Sequence, residues 1–186
     1  MIERLRKYVK LEGIGRRVPL SADVVTMLSL GVALAGVYLT WKGAPGWIFI
    51  AAVGILDAID GAVARAKGTA GRRGALLDSS LDRYADAAIL LYFAQWAPLW
   101  VLYAALVGTF LISYVRARAE SLGLAMRGIG LMERGERIIY LFAASLLGWL
   151  TPSIIAPALY VYTIVVNAAA VYRLVAAYRM LKSDGR

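Results

Sequence analysis

The stretch AAILLYFAQWAPLWVLYAALVGTFLISYV, residues 87–115, runs for 29 positions without a charged side chain. A helix needs about 20 apolar residues to cross a bilayer, so this run is too long for one span and too short for two. The Gln95-Trp-Ala-Pro98 segment interrupts it near the middle, and such a break favours a turn followed by a new helix. We therefore interpret the run as a helical hairpin whose arms continue into the charged residues on either side.

Three further uncharged runs, residues 24–41, 43–56 and 138–172, extend the pattern. The second has 14 residues and can span a bilayer only if the helix continues through Asp57 and Asp60. The third has 35 residues and its own break, Gly148-Trp-Leu-Thr-Pro152. The sequence thus predicts an all-α integral membrane protein with six transmembrane helices, at about 22–41, 44–66, 74–95, 99–120, 134–150 and 153–178.

The whole chain, residues 1–186, has room for a single membrane domain, with a juxtamembrane segment at 1–17 and a six-helix bundle at 18–180. Apolar residues alternate with basic ones in residues 1–10, which suits an amphipathic helix on the membrane surface. A disordered basic tail is the alternative for that segment.

The amino-acid composition limits which metals and catalytic groups the protein can use. Hydrophobic residues make up 61% of the chain, against about 45–50% in a typical soluble domain. Cysteine and histidine are both absent, which excludes disulfides, thiol catalysis and zinc sites built on those ligands. Any metal must therefore be held by oxygen atoms, which favours Mg²⁺ or Mn²⁺.

The charge distribution predicts an orientation in the cell membrane. The net charge is +9, and 20 of the 21 Lys and Arg residues fall at one end of the predicted bundle. Only Lys42 falls at the opposite end. All five tryptophans cluster at the end that carries Lys42, as in an interfacial aromatic belt. The positive-inside rule then places both termini in the cytoplasm, and topology explains the basic charge without a nucleic-acid partner.

Four aspartates form an ordered array at the predicted cytoplasmic end. Asp57 and Asp60 are three residues apart on one helix, and Asp78 and Asp82 are four apart on the next, so each pair shares a face. Carboxylates this close to the bilayer are costly unless compensated, and divalent cations would compensate them. Ion pairing with nearby basic residues is one alternative. A small cation channel or transporter is another, although no polar trail crosses the outer half of the helices.

The stretch from Asp57 to Asp82 resembles the signature of the CDP-alcohol phosphotransferases, D-x2-D-G-x2-A-R-x8-G-x3-D-x3-D. All eight fixed positions match: Asp57, Asp60, Gly61, Ala64, Arg65, Gly74, Asp78 and Asp82. The resemblance implies a six-helix enzyme, usually a homodimer, that transfers a phosphoalcohol group from a CDP-alcohol to a hydroxyl.

The same resemblance implies a role for each site residue. Asp57, Asp60 and Asp78 would bind two ions of Mg²⁺ or Mn²⁺, and Asp82 would be both a shared ligand and the general base. The residues implied to hold the CDP-lipid are Ser21, Ala22, Asp23, Val24, Thr26, Gly61, Ala64, Arg65, Gly71 and Gly74. Ala22 and Gly71 depart from the family pattern, which usually has Pro and Ser or Thr there.

A second basic cluster bears on the acceptor. The runs Ser113-Tyr-Val-Arg-Ala-Arg-Ala-Glu120 and Glu133-Arg-Gly-Glu-Arg137 resemble the inositol-phosphate branch of the family. This implies that Arg116, Arg118, Arg137 and Arg173 bind the phosphate of inositol 1-phosphate. Glycerol 3-phosphate is the rival acceptor, and positive-inside anchoring accounts for part of the cluster. The lipid donor is either CDP-archaeol or CDP-diacylglycerol.

Overall fold

The computed structural model describes residues 12–69, 71–126 and 128–184, and across these ranges the protein is helical with no strand. In chain order the elements are α1 (Glu12–Arg17), α2 (Ala22–Trp41), α3 (Gly46–Ala66), α4 (Arg72–Leu91), α5 (Leu99–Ser121), α6 (Arg134–Leu150), a 3₁₀ turn (Pro152–Ile154) and α7 (Ile155–Asp184). The surface helix predicted for residues 1–10 lies outside the described residues.

Helices α2 to α7 correspond to the six predicted spans, and both predicted breaks are confirmed. Between α4 and α5 the chain turns before Pro98, and between α6 and α7 it turns at Thr151 and Pro152. Helix α4 ends at Leu91, a few residues earlier than predicted. The backbone N–H groups of Tyr92 and Phe93 bond the carbonyls of Ile89 and Leu90, which tightens the last turn and ends the helix.

Four helical segments are long and apolar enough to cross a membrane: Ala22–Trp41, Gly46–Ala66, Leu99–Ser121 and Pro152–Lys182. Several such helices fit a membrane protein. Helix α4 carries three arginines and three aspartates, and α6 has 17 residues, so neither qualifies by length and composition. The prediction of six spans is therefore supported for four of them.

Helix α2 packs against both α3 and α4, α6 packs against α3, and α5 packs against α7. The aspartates of α3 and α4 consequently lie at one end of the bundle, beside the start of α2. At the opposite end, Thr40, Trp96 and Trp149 line a cavity of about 140 Å³. The structure thus separates the tryptophans from the aspartates, as the sequence predicts.

The contact between α5 and α7 is close because Gly108 has no side chain. The amide nitrogen of Asn167 on α7 donates to the carbonyl of Ala104, 3.0 Å away on α5. Farther along the same interface, Arg173 of α7 donates to the carbonyl of Ile112 over 3.2 Å. This interface therefore sets the position of Arg173.

Candidate active site

A cleft of about 220 Å³ opens between the start of α2, the end of α3 and the start of α4. Eight of the ten residues predicted to hold the CDP-lipid line it: Ala22, Asp23, Thr26, Gly61, Ala64, Arg65, Gly71 and Gly74. Asp60 and Asp78 line it too. Ser21 and Val24 do not line the cleft. The Ser21 hydroxyl caps α2 and accepts a hydrogen bond of 3.4 Å from the Val24 N–H.

The two aspartates of α3 are held by hydroxyls of α2. Ser29 Oγ donates to Asp57 Oδ1 over 2.9 Å, and Thr26 Oγ1 lies 3.1 Å from Asp60 Oδ2. Asp60 is buried, with 6% of its surface exposed. The carboxylates therefore have fixed directions.

Arg134, at the first position of α6, enters the aspartate array. Its Nη2 lies 2.9 Å from Asp57 Oδ2, its Nη1 contacts Asp82 Oδ1, and its Nε lies 3.5 Å from Asp86 Oδ1. Carboxylates from α3 and α4 thus converge on one positive group. The array is compensated here by a guanidinium.

The donor set fits a hard divalent cation in its chemistry. In the described part of the chain, no group of three acidic side chains is arranged to hold an ion as it stands. The four aspartates nevertheless offer only oxygen ligands, and the buried Asp57 Oδ2 has the Arg134 guanidinium as its positive partner. The guanidinium of Arg134 lies between Asp57 and Asp82 and pairs with both carboxylates. Electrostatic interaction also links Asp78 to Asp57 and Asp60.

Asp86 connects this array to the predicted acceptor arginines. Arg137 is 2% exposed, and its Nη2 donates to Asp86 Oδ2 over 2.8 Å. Its Nη1 donates to the Met132 carbonyl over 2.8 Å. Asp86 also pairs with Arg134, so a continuous chain of ion pairs joins Arg137 to the aspartates of α3 and α4. Asp86 is thus an ion-pair partner of both arginines of α6.

The four predicted acceptor arginines have different surroundings. Arg173 is 1% exposed, and its Nε and Nη2 have no hydrogen-bond partner among the described residues. It interacts electrostatically with Arg116, Arg137 and Glu133. Arg116 is partly exposed and pairs with Glu120 over 3.0 Å. Arg118 lies on another face of α5, is exposed and donates to Ser121 over 3.4 Å, so the structure does not bring it to the other three.

Arg134 and Ser29 belong to the site although the sequence motifs do not predict them. Arg134 and Arg137 are three positions apart on α6 and share a face, which was a usable signal. Ser29 stands three positions after Thr26 on α2 and faces the same direction. Its bond to a distant carboxylate depends on how α2 packs on α3, which the spacing alone does not specify.

Similarity to known proteins shows to which family the chain belongs. Residues 20–170 match the CDP-alcohol phosphatidyltransferase family. The chain belongs to this family. The resemblance seen in the Asp57–Asp82 motif is thereby confirmed, and so is the expectation that the protein is a CDP-alcohol phosphotransferase enzyme.

Two similar relatives within the family come from archaea. The archaetidylinositol phosphate synthase of Pyrococcus horikoshii is 39% identical over 156 residues, covering 78% of this chain and 82% of the relative. The corresponding synthase of Aeropyrum pernix is 47% identical over 110 residues, covering 53% of this chain and 56% of the relative.

Solved structures of a bacterial family member share the fold. The phosphatidylinositol phosphate synthase of Mycobacterium tuberculosis with CDP-DAG bound superposes with a TM-score of 0.79 at 29% identity, covering 90% of this chain and 92% of that one. Its complex with manganese and citrate also gives a TM-score of 0.79 at 29% identity, covering 91% and 89% of the two chains. Manganese and the CDP-lipid are thus both seen in a relative of the same fold.

Proposed function

We propose that this CDP-alcohol phosphotransferase is a phospholipid synthase that uses inositol 1-phosphate as acceptor. It transfers the phosphatidyl or archaetidyl group of a CDP-lipid to a hydroxyl of inositol 1-phosphate and releases CMP. The observation that carries this proposal is the continuity of the site. The cleft is lined by Asp60 and Asp78 of the aspartate array, and ion pairs through Arg134 and Asp86 join that array to the buried Arg137.

The cleft is suited to the CDP end of the donor. Glycine at Gly61, Gly71 and Gly74 leaves room for a nucleotide or diphosphate to approach the backbone. Arg65 lines the same cleft and carries a charge that complements a diphosphate. The lipid tails would remain in the bilayer beside the apolar helices. Either CDP-archaeol or CDP-diacylglycerol satisfies this arrangement.

Asp57, Asp60, Asp78 and Asp82 would hold the metal, which we propose is a pair of Mg²⁺ or Mn²⁺ ions with Asp82 shared. When bound, such ions neutralise the donor diphosphate and stabilise CMP as the leaving group. Asp82 takes the proton of the attacking hydroxyl as general base. The hydroxyl oxygen bonds to the phosphorus that carries the lipid, the bond linking the two phosphates breaks, and CMP leaves with that bridging oxygen.

The acceptor phosphate fits the arginine group. Arg173 offers two buried nitrogens, Nε and Nη2, that have no partner among the described residues, and an unsatisfied buried donor is costly. A phosphate would satisfy both and could be shared with Arg116, whose positive charge acts on Arg173. Arg137 would add positive charge near the phosphate while it stays paired with Asp86. Arg118, exposed beside Ser121, contributes least in this proposal.

A purified preparation in detergent tests the proposal. With CDP-lipid, inositol 1-phosphate and Mn²⁺ or Mg²⁺, it should release CMP in step with the loss of donor. Glycerol 3-phosphate is the rival acceptor because it too carries a phosphate. Failure to release CMP with any phosphorylated or free alcohol would contradict the proposal, and metal flux through liposomes without CMP formation would favour a cation transporter.

We also propose the membrane arrangement predicted above: one domain over residues 1–186, six spans, both termini and the site in the cytoplasm, and a homodimer. The absence of cysteine makes the orientation easy to test. Single Lys42→Cys and Lys182→Cys variants in intact cells should react differently with a membrane-impermeant maleimide, and only the first should be labelled. Light scattering of the detergent complex should give the mass of two chains.

A further inference from the structure

The chain carries a pair of matched contacts between α2 and α3 that the reaction scheme above does not use. Thr26 and Ser29 are three residues apart on α2, and Asp57 and Asp60 are three apart on α3. Thr26 faces Asp60 and Ser29 faces Asp57, over 3.1 Å and 2.9 Å. Residues at this spacing share a helix face, so the two hydroxyls form one surface against the two carboxylates.

Ser29 donates to a single acceptor, whereas Thr26 has two acceptors within reach. Ser29 is 3% exposed and its hydroxyl donates to Asp57 Oδ1. The Thr26 hydroxyl lies 3.1 Å from Asp60 Oδ2 and 3.0 Å from the carbonyl of Ala22, so its single hydrogen is shared. Ser29 therefore has the stronger effect on its carboxylate.

The Ser29 contact decides which oxygen of Asp57 faces the array. Because Oδ1 accepts from Ser29, Oδ2 is the atom turned toward the positive group of Arg134, 2.9 Å away. Loss of the hydroxyl would remove the hydrogen bond to Oδ1 and leave the ion pair with Arg134 to orient the carboxylate. Groups that orient a metal ligand from behind typically change metal affinity about 10–100-fold when removed.

We propose that Ser29 is a positioning residue for the metal site, with Thr26 in the same role toward Asp60. The two hydroxyls hold the carboxylates of α3 in the direction from which they bind a divalent cation. The inference rests on the proposed function, because it takes the aspartates to be metal ligands.

Helix α2 supplies its own matched control. Apart from Ser29 and Thr26, its hydroxyl-bearing Ser or Thr side chain is Thr40, which lies at the far end and donates to the carbonyl of Gly36 over 2.7 Å. Thr40 contacts the backbone of its own helix and no carboxylate of the array. Its replacement removes a hydroxyl from the same helix without touching an aspartate.

The experiment measures Mn²⁺ binding to full-length protein in detergent, after chelator treatment, by electron paramagnetic resonance of the free ion. Ser29→Ala should raise the Kd for Mn²⁺ about 10-fold or more, with a smaller rise for Thr26→Val, and Thr40→Val should match wild type within about twofold. CMP release by Ser29→Ala should recover at saturating Mn²⁺. The melting temperature of each variant reports whether the fold survives, and Thr26→Val supplies the comparison if Ser29→Ala does not fold.

A Kd for Ser29→Ala within about twofold of wild type would overturn the inference, as would equal weakening by Thr40→Val. Wild-type protein that binds no Mn²⁺ would overturn both this inference and the metal assignment. Wild-type protein that binds Mn²⁺ but transfers nothing to inositol 1-phosphate would contradict the proposed acceptor alone. In that case the Ser29→Ala Kd still decides the positioning role.

Discussion

Arg134 Nη2 lies 2.9 Å from Asp57 Oδ2, which brings the first turn of α6 into contact with the last turns of α3. The same guanidinium contacts Asp82 and Asp86 on α4. One arginine thus neutralises carboxylates from two helices that would otherwise repel each other. If Asp57 and Asp82 bind a metal as proposed, the ion and Arg134 are alternative positive partners for these two carboxylates.

The first prediction concerns Arg134→Gln. The variant should melt at a lower temperature than wild type in chelator, because removing the arginine from a largely buried group of ion pairs leaves like charges together. Added Mn²⁺ should restore more stability to the variant than to wild type. Thermal unfolding in detergent, with and without Mn²⁺, measures both shifts. An equal Mn²⁺ shift in the two proteins would mean that Arg134 and the ion do not share these carboxylates.

The second prediction concerns the general base. Asp82→Asn should lower the rate of CMP release by about 100-fold or more, since a positioned base typically contributes 10²–10⁴-fold. Binding of the cytidine nucleotide should change little, because Asp82 does not line the donor cleft. Calorimetric titration with the nucleotide checks the binding, and steady-state CMP release checks the rate. Full activity in Asp82→Asn would remove the assignment of the base.

The third prediction separates acceptor from donor binding. Arg173→Gln should raise the KM for inositol 1-phosphate by about 10-fold or more, because charge-assisted hydrogen bonds to a phosphate are lost. The KM for the CDP-lipid should stay nearly constant. Arg179→Gln, on an exposed position of the same helix, is the matched control and should leave both KM values close to wild type. A parallel rise in both KM values for Arg173→Gln would indicate a general structural defect.

The fourth prediction concerns the packing that positions Arg173. A Cβ at Gly108 would lie 2.8 Å from Val166 Cγ2 and 2.8 Å from Asn167 Nδ2 on α7. Gly108→Ala should therefore cost about 1–3 kcal/mol of stability through overpacking. Gly31→Ala on α2 is the control, because a Cβ there meets nothing within 4 Å and alanine favours the helix. Thermal unfolding should rank Gly31→Ala at or above wild type, and Gly108→Ala below it. The opposite order would contradict the described α5–α7 interface.

Much of the fold was predictable because its determinants are local. The breaks before Pro98 and Pro152 interrupt long apolar runs, and proline is favoured at the start of a helix but not in its interior. Helical spacing alone places Asp57 and Asp60 on one face of α3, and Asp78 and Asp82 on one face of α4. These features need no knowledge of tertiary packing.

The remaining parts of the site depend on packing. Ser29 and Thr40 are both hydroxyl residues in one apolar helix, yet one bonds a distant carboxylate and the other its own backbone. Arg134 reaches Asp57 only because α6 packs against α3. Arg116 and Arg118 are two positions apart, so helical spacing already places them on different faces of α5, but only the packing shows that Arg118 is the exposed one.

The most direct test of the account is a competition between acceptors. Wild-type protein would receive CDP-lipid, Mn²⁺ and equal concentrations of inositol 1-phosphate and glycerol 3-phosphate, and mass spectrometry would quantify both lipid products. The account predicts that the inositol-phosphate lipid predominates, that CMP forms in equal amount to the lipid products, and that chelator stops both. A predominance of the glycerol-phosphate lipid would contradict it.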